Sequence, residues 1–271
     1  MQKDKFSSGR IAVSDEFQEV FSHFYFAENN SDITFTKKLL PSYQTIMIFS
    51  FGESAYIHSE GDENIEVEKC IVLGPIKKAF DYSQPAGNTI LVANFKDDAF
   101  YRFFGSAALA ENLPIDPNDL MSENCFTALW HKLNGIENKE EQVECILEFC
   151  RPYLRKRNPV TGQLIELKNT AYNPIKKVAD ETKQSERAIQ LTHKKQLGYS
   201  AKEINRYLRF LKAIEMMQDI ACRTSKNDWF EIVGECGYYD QSQLINDFKY
   251  YINLTPARYL KLQCSICNPV G

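Results

Sequence analysis

Apolar residues change their spacing near residue 97 of this 271-residue chain. Before that point they fall in short runs at residues 32–37 (DITFTK), 45–51 (TIMIFSF), 54–58 (SAYIH), 70–73 (CIVL) and 89–95 (TILVANF). These runs are rich in β-branched and aromatic residues, which suit a pleated, half-buried surface. Turn-forming stretches separate them, at Leu40-Pro41-Ser42, residues 61–64 and residues 84–88. Several short strands at such spacing predict a β-barrel or sandwich.

Beyond Lys96 the period becomes helical. Residues 97–104, 125–133 and 139–153 read as helices, and in the last Val143, Ile146, Leu147, Cys150 and Leu154 fall on one face. Residues 155–159 (RKRNP) read as a linker, and from Leu164 onward every segment looks helical. Pro174 suits a first helical turn. Ser185 is a predicted N-cap and Gly198 a helix stop, with Ser200 capping a long helix over 201–222. Asp228 and Asp240 are predicted caps of two further helices, separated by Gly237, and Pro256 opens a last short one. The expected class is α+β: a β-barrel or sandwich-like half with trailing helices over 1–158, and an all-α half over 159–271.

Composition narrows the picture. An aromatic content of 13% is too high for a disordered chain. No apolar run reaches membrane-spanning length, and residues 1–17 lack the pattern of a secretory signal, so a cytoplasmic protein without membrane contact is expected. The net charge of −4 conceals an asymmetry. Residues 1–150 hold 12 Lys and Arg against 24 Asp and Glu, whereas residues 151–271 hold 20 against 12. A basic helical half points to a polyanionic partner. The eight cysteines are scattered, and Cys264-Ser265-Ile266-Cys267 stands alone without a second ligand pair, so a surface tail is its better reading. The four histidines form no H-x-H or H-x-x-x-H pair, and no G-x-S-x-G or P-loop pattern occurs. Neither a metal, a cofactor nor an enzymatic activity is expected.

Two short helix pairs joined by a long helix describe a double helix-turn-helix. The first pair covers 175–181 and 185–197, the second 229–236 and 240–251. Residues 232–249 (IVGECGYYDQSQLINDFK) followed by 254–259 (LTPARY) resemble the signature of the AraC/XylS family of transcription regulators. Gly237, Asp240, Ser242, Phe248, Lys249, Thr255, Pro256 and Tyr259 match it, with Tyr238 and Leu244 close substitutes. In the first pair Ala179, Ser185, Arg187, Ile189, Lys194 and Gly198 fit, as do Arg206 and Arg209-Phe210 in the connecting helix. The resemblance spans about residues 165–262. More weakly, the N-terminal half resembles the β-rich, cupin-like sensor domains that precede such units, through Leu40-Pro41, Leu73-Gly74-Pro75 and Phe95 leading to Phe103-Phe104-Gly105.

The resemblance implies a DNA-binding regulator controlled by a small-molecule effector or by dimerisation through the N-terminal half. Double-stranded DNA is the implied partner; RNA polymerase and a second copy of the chain are further candidates. Arg187, Gln190 and Lys194 lie on one helical face, and Gln241, Ser242, Gln243, Asn246 and Lys249 correspond to the second reading helix. Arg suits guanine edges and Asn or Gln suits adenine, whereas Lys249 is placed to meet phosphate. Leu191 and Asn246 stand where the family has arginine, Asp247 adds a negative charge beside the reading face, and His193 replaces a core aromatic. His193 is expected as a buried, satisfied histidine. For an effector, Phe49, Phe51, Tyr56, Phe95 and Tyr101 are candidate pocket aromatics, with barrel core as their plainer reading. The alternative function is a small-molecule-binding or enzymatic β-barrel whose helical tail makes protein contacts.

Overall fold

The computed structural model describes residues 6–58, 64–107, 114–121, 124–168, 173–222, 229–262 and 266–267. Nine strands come first: β1 (Phe6–Ile11), β2 (Phe21–Asn29), β3 (Phe35–Leu39), β4 (Ile46–Gly52), β5 (Ala55–His58), β6 (Asn64–Val67), β7 (Cys70–Leu73), β8 (Phe80–Gln84) and β9 (Asn88–Phe95). A two-residue strand, β10 (Ile266–Cys267), returns from the far end of the chain. They form two five-stranded sheets, ordered β1-β2-β9-β4-β7 and β10-β3-β8-β5-β6. Every pairing is antiparallel except β10 on β3, where Ile266 lies opposite Lys38 and Cys267 opposite Leu39.

Side chains alternate across a strand. In the first sheet Met47, Phe49 and Phe51 of β4, with Leu91, Ala93 and Phe95 of β9, enter one apolar core. Ile46 and Ile48, with Ile90 and Val92, enter a second core shared with Ala55, Ile57 and Val67 of the other sheet. The first sheet is therefore covered on both faces. Helices α1 (Ala99–Phe104), α2 (Pro117–Met121), α3 (Cys125–Asn134) and α4 (Lys139–Cys150) form the layer on its outer side. Phe126 sits at the centre of that layer, ringed by Phe103, Phe104 and Phe149 at centroid distances of 6.2, 5.7 and 5.2 Å.

The helical half contains α5 (Pro159–Leu167), α6 (Pro174–Thr182), α7 (Glu186–Leu197), α8 (Ala201–Cys222), α9 (Trp229–Glu235), α10 (Gln241–Ile252) and α11 (Pro256–Leu262). Local capping chemistry sets these boundaries. Asn173 accepts from the Lys176 amide ahead of Pro174, and Ser185 accepts from the Ala188 amide. α7 stops at Gly198, where φ is 80° and an added Cβ would meet the Ala107 carbonyl at 2.7 Å. Asp240 accepts from the Gln243 amide at 2.8 Å to start α10. The predicted cap Asp228 lies outside the described residues.

Several expectations change. Strands β1, β2, β6 and β8 were not legible in the apolar runs, and the strand expected over 32–37 lies at Phe35–Leu39. In β2 the reason is a register shift between Phe21 and His23. It puts Phe21 and Phe24 into the same core and breaks strict alternation. The helix expected over 139–153 ends at Cys150, and Arg151–Tyr153, containing Pro152, forms a 3₁₀ turn. Part of the expected surface tail is instead β10 on the edge of the second sheet; Cys264 and Ser265 lie outside the described residues.

Truncating Phe126 removes the hub of the aromatic layer. Phe126→Ala is expected to cost about 3–5 kcal/mol of unfolding free energy, read from urea denaturation with tyrosine and tryptophan fluorescence.

Candidate nucleic-acid interface and effector cavity

The two helix pairs occupy the predicted places. α6 and α7 close over a small core of Leu164, Ile175, Val178, Ala179 and Ile189. α9 and α10 pack through Ile232, Leu244, Phe248 and Tyr251 onto Tyr207, Phe210 and Ile214 of α8. Arg187, Gln190 and Lys194 of α7 are exposed, and so are Gln241, Ser242, Asn246 and Lys249 of α10. An open groove of about 800 Å³ runs between the two units, with Gln190 on one wall, Gln243 and Asn246 on the other, and Arg206 and Arg209 of α8 along it. Residues of both α7 and α10 thus meet one concave face.

Gln243 lines the groove and is also engaged within the protein. It is half-buried, and its Oε1 accepts from the Tyr239 amide at 3.0 Å, which closes the start of α10 in the manner of a capping box. One lone pair of the side-chain oxygen is thereby used within the protein, leaving the other lone pair and the NH₂ donors. Asp247 departs from expectation. It is buried, with Arg206 Nε at 2.8 Å from one carboxylate oxygen and Arg209 at 3.3 Å from the other. The guanidinium of Arg206 lies 4.3 Å from the Tyr250 ring centroid and that of Arg209 4.5 Å from Tyr238. Asp247 is therefore a neutralised strut between α8 and α10 rather than an open negative charge. The sequence carried the signal: Leu244, Asp247, Phe248 and Tyr251 follow the spacing of a core-facing stripe, where a carboxylate needs partners. Leu191 is 62% exposed and presents a bare apolar side chain on α7. His193 is buried and donates from Nδ1 to the Tyr199 carbonyl at 2.8 Å; burial pulls its pKa below the ordinary value.

Between the sheets lies a cavity of about 110 Å³. His23, Tyr25, Ile48, Ile90, Val92 and Asn94 line it from the first sheet, with Arg10 at one end. Leu39, Tyr56, Ile57, Phe80 and Tyr82 line it from the second. Of the five aromatics expected at a pocket, Tyr56 lines this cavity. Phe49, Phe51 and Phe95 do not, because alternation turns them to the opposite face of the first sheet, into the helix-covered core. Tyr101 lies on α1 beneath Lys195 of α7, 6.0 Å from its ammonium. Burial, and then the charge of Arg10, lower the pKa of His23 to about 4, so the cavity's histidine is neutral at pH 7.

Among the described residues no group of three or more His, Cys, Asp or Glu could hold a metal ion, and no helix is long and apolar enough to cross a membrane. Two serine–histidine pairs meet among the described residues: Ser22 Oγ lies 3.1 Å from His23 Nδ1, and His58 Nε2 lies 2.6 Å from Ser83 Oγ with its Nδ1 2.6 Å from Asn64 Oδ1. Thr36 shares Ser83 at 2.7 Å, which makes the group a polar ladder across β3, β8, β5 and β6.

No protein-family model matches the chain, and no curated protein does. Among solved structures it is similar to ToxT from Vibrio cholerae O395, with 15% identity, 96% of this chain and 98% of that chain covered, and a TM-score of 0.40. It is also similar to the AraC-like transcriptional activator CuxR, at 12% identity over 78% of this chain and 82% of that one, TM-score 0.32. An RmlC-like cupin protein from Desulfovibrio desulfuricans shares 16% identity over 34% of this chain and 82% of its own, TM-score 0.26.

Two measurements test this geometry. Asp247→Ala leaves two guanidiniums without their buried counter-ion and is expected to lower stability by about 2 kcal/mol in urea, between the values for buried and exposed pairs because both arginines keep some water. For His23, a folded pKa below the unfolded 6.5 means the unfolded chain takes up the proton first. Its contribution is complete above pH 6.5 and lost as the pH falls toward about 4. The urea midpoint of His23→Gln is expected to fall less than that of the wild type across this window; parallel curves would remove His23 as a cause.

Proposed function

We propose that the protein is a sequence-specific DNA-binding transcription regulator of AraC type, with 159–271 as the DNA-reading half and 1–158 as an effector-sensing half. One observation carries this reading. Gln190 of α7 and Asn246 of α10 are exposed and line one groove between the two helix pairs, and Arg187, Lys194, Gln241, Ser242 and Lys249 are exposed on the same two helices, within a stretch that resembles the family signature. α7 and α10 would enter successive major grooves on one side of the duplex, about one helical turn or 34 Å apart. Asn246 is the stronger candidate for an adenine contact, since it is exposed whereas Gln243 is half-buried with its side-chain oxygen already accepting from the Tyr239 amide. Lys249 and Lys194 supply phosphate contacts, which fix register without reading sequence. Leu191 offers an apolar surface suited to a thymine methyl.

The cavity between the sheets supports a small-molecule effector. Its wall is mainly apolar with Arg10, His23 and Asn94 as polar groups, the lining expected of a small-ligand site. RNA polymerase and a second copy of the chain belong to the same reading as partners, and the compartment it implies is the cytoplasm. A second reading, a ligand-binding barrel whose helical half serves protein contacts, is favoured by a single observation, the exposed Leu191 in place of an arginine.

Fluorescence anisotropy with DNA from upstream of the protein's own gene, against scrambled DNA of equal composition, separates the two. Tighter binding to the native fragment with a steep negative salt slope is the expected result. Asn246→Ala is expected to relax preference at one base position by about 1–3 kcal/mol, whereas Lys249→Ala weakens all sequences alike and reduces the salt slope by about 1. Equal, weak binding to both fragments would favour the second reading.

A further inference from the structure

The wall of the cavity and the contact between the two halves are built from the same two short segments. Along the first, Leu39 lines the cavity while Leu40 enters the core of the helical half. Ser42 lines the cavity while Tyr43 stacks on Tyr207 of α8 at a centroid distance of 4.5 Å and meets Tyr199 edge-on at 5.2 Å. Tyr207 donates its hydroxyl to the Pro41 carbonyl at 2.5 Å. Along the second segment Phe80 lines the cavity, and its neighbour Ala79 donates its amide to the Tyr251 carbonyl of α10 at 2.7 Å. Lys77 pairs with Glu203 of α8 at 2.9 Å. The segments are tied to each other, because the Ser42 and Tyr43 amides both donate to the Ile76 carbonyl at 3.0 Å.

Tyr43 shows how firmly this arrangement is held. Its φ is 57°, a left-handed backbone that a tyrosine adopts only when its surroundings impose it. The Ile76 bond and the ring sandwich against α8 impose it here. A ligand that presses on Leu39, Ser42 or Phe80 therefore has few ways to be accommodated except through residues that touch α8 and α10.

We propose that the cavity takes a compact, mainly apolar ligand, and that its occupancy is passed to the DNA-reading half through segments 39–43 and 76–80, with Tyr43 as the wedge. The proposal deepens the effector reading given above and rests on it for the ligand, but the mechanical link stands on the packing alone. A ligand changes the balance only by binding one arrangement of the wedge better than the other, and the link is reciprocal: whatever DNA does to ligand affinity, the ligand does to DNA affinity.

The test uses the full-length protein and needs no identified ligand. Val92→Phe places a ring in the cavity, on the wall away from both segments. Hydrogen–deuterium exchange is followed in peptides of α8, α10 and α6, and compared with Phe126→Ala, which loosens the opposite face of the same sheet. The expected result is a change of about 2- to 30-fold in exchange of α8 and α10, with α6 unaltered and with neither helix responding to Phe126→Ala. Adding Tyr207→Phe, which removes the bond to Pro41, is expected to reduce the response to the ring. Unaltered exchange in α8 and α10, or an equal change in every helix, overturns the proposal. Where Val92→Phe fails to fold, Ala55→Val narrows the same cavity more gently and is judged by the same criteria. Exchange that responds in a protein that ignores DNA sequence would sustain the link and remove the regulator reading. Sequence-specific binding without the exchange response would do the reverse.

Discussion

Burial of the first sheet on both faces is the constraint from which the rest of the N-terminal half follows. β4 and β9 lie at its centre, and nearly every residue in them is buried. Because the side-chain period is 2, one parity of each strand must suit the helix layer and the other the space between the sheets. The helix-facing parity carries Met47, Phe49, Phe51, Leu91 and Phe95, large enough to meet the ring of Phe126 and its neighbours. The inward parity carries Ile46, Ile48, Ile90 and Val92, which are smaller and leave the cavity unfilled. A single sheet thus makes a tightly packed core on one side and a cavity of about 110 Å³ on the other.

The second sheet then serves as the link. The chain leaves the sandwich after β3, at Leu40, and reaches α8 within three residues. The outer side of β3 receives β10 from the far end of the chain, so the helical half touches this sheet both through side chains and through backbone pairing. Aromatic stacking supplies much of the contact: Tyr43, Tyr199, Tyr207 and Tyr251 form a continuous group at the junction. Burial pushes the phenols of Tyr43, Tyr199 and Tyr207 far above their ordinary range, so the group stays uncharged at any physiological pH.

The helical half was legible because its boundaries are local. Asn173, Ser185 and Asp240 cap where their side chains can accept, and Gly198 and Gly237 stop helices where φ turns positive. None of this needs a partner distant in sequence. The cavity was not legible for the opposite reason. Which parity of β4 faces inward depends on what covers each side, and the covering helices begin 47 residues beyond its end, at Ala99. Aromatic rings invited a pocket assignment at Phe49, Phe51 and Phe95, yet large rings fill a core and smaller aliphatic residues leave room. β8 was equally silent, since FDYSQ is short and polar at alternate positions. Asp247 stands between these cases: its place on the apolar stripe of α10 was visible, but its partners Arg206 and Arg209, 41 and 38 residues earlier, were not.

Charge pairing alters what the basic excess of the helical half can do. Arg206 and Arg209 are engaged by Asp247. Arg157 is held by Asp98, a fully buried carboxylate at the start of α1 whose pKa burial raises, and Lys168 lies 3.8 Å from Asp97. Of these pairs Lys168–Asp97 joins the two halves, as does Lys77–Glu203 with the charges reversed. The exposed positive charge on α7 and α10 is small and discrete: Arg187, Lys194 and Lys195 on α7 and Lys249 on α10. On the regulator reading proposed above, so few phosphate contacts would gain little from counterion release, and more of the affinity would come from base edges and from the fit of two helices to the duplex. That fit would depend on α8, which packs against α10 through Tyr207 and Phe210 and on whose Tyr207 the ring of Tyr43 stacks.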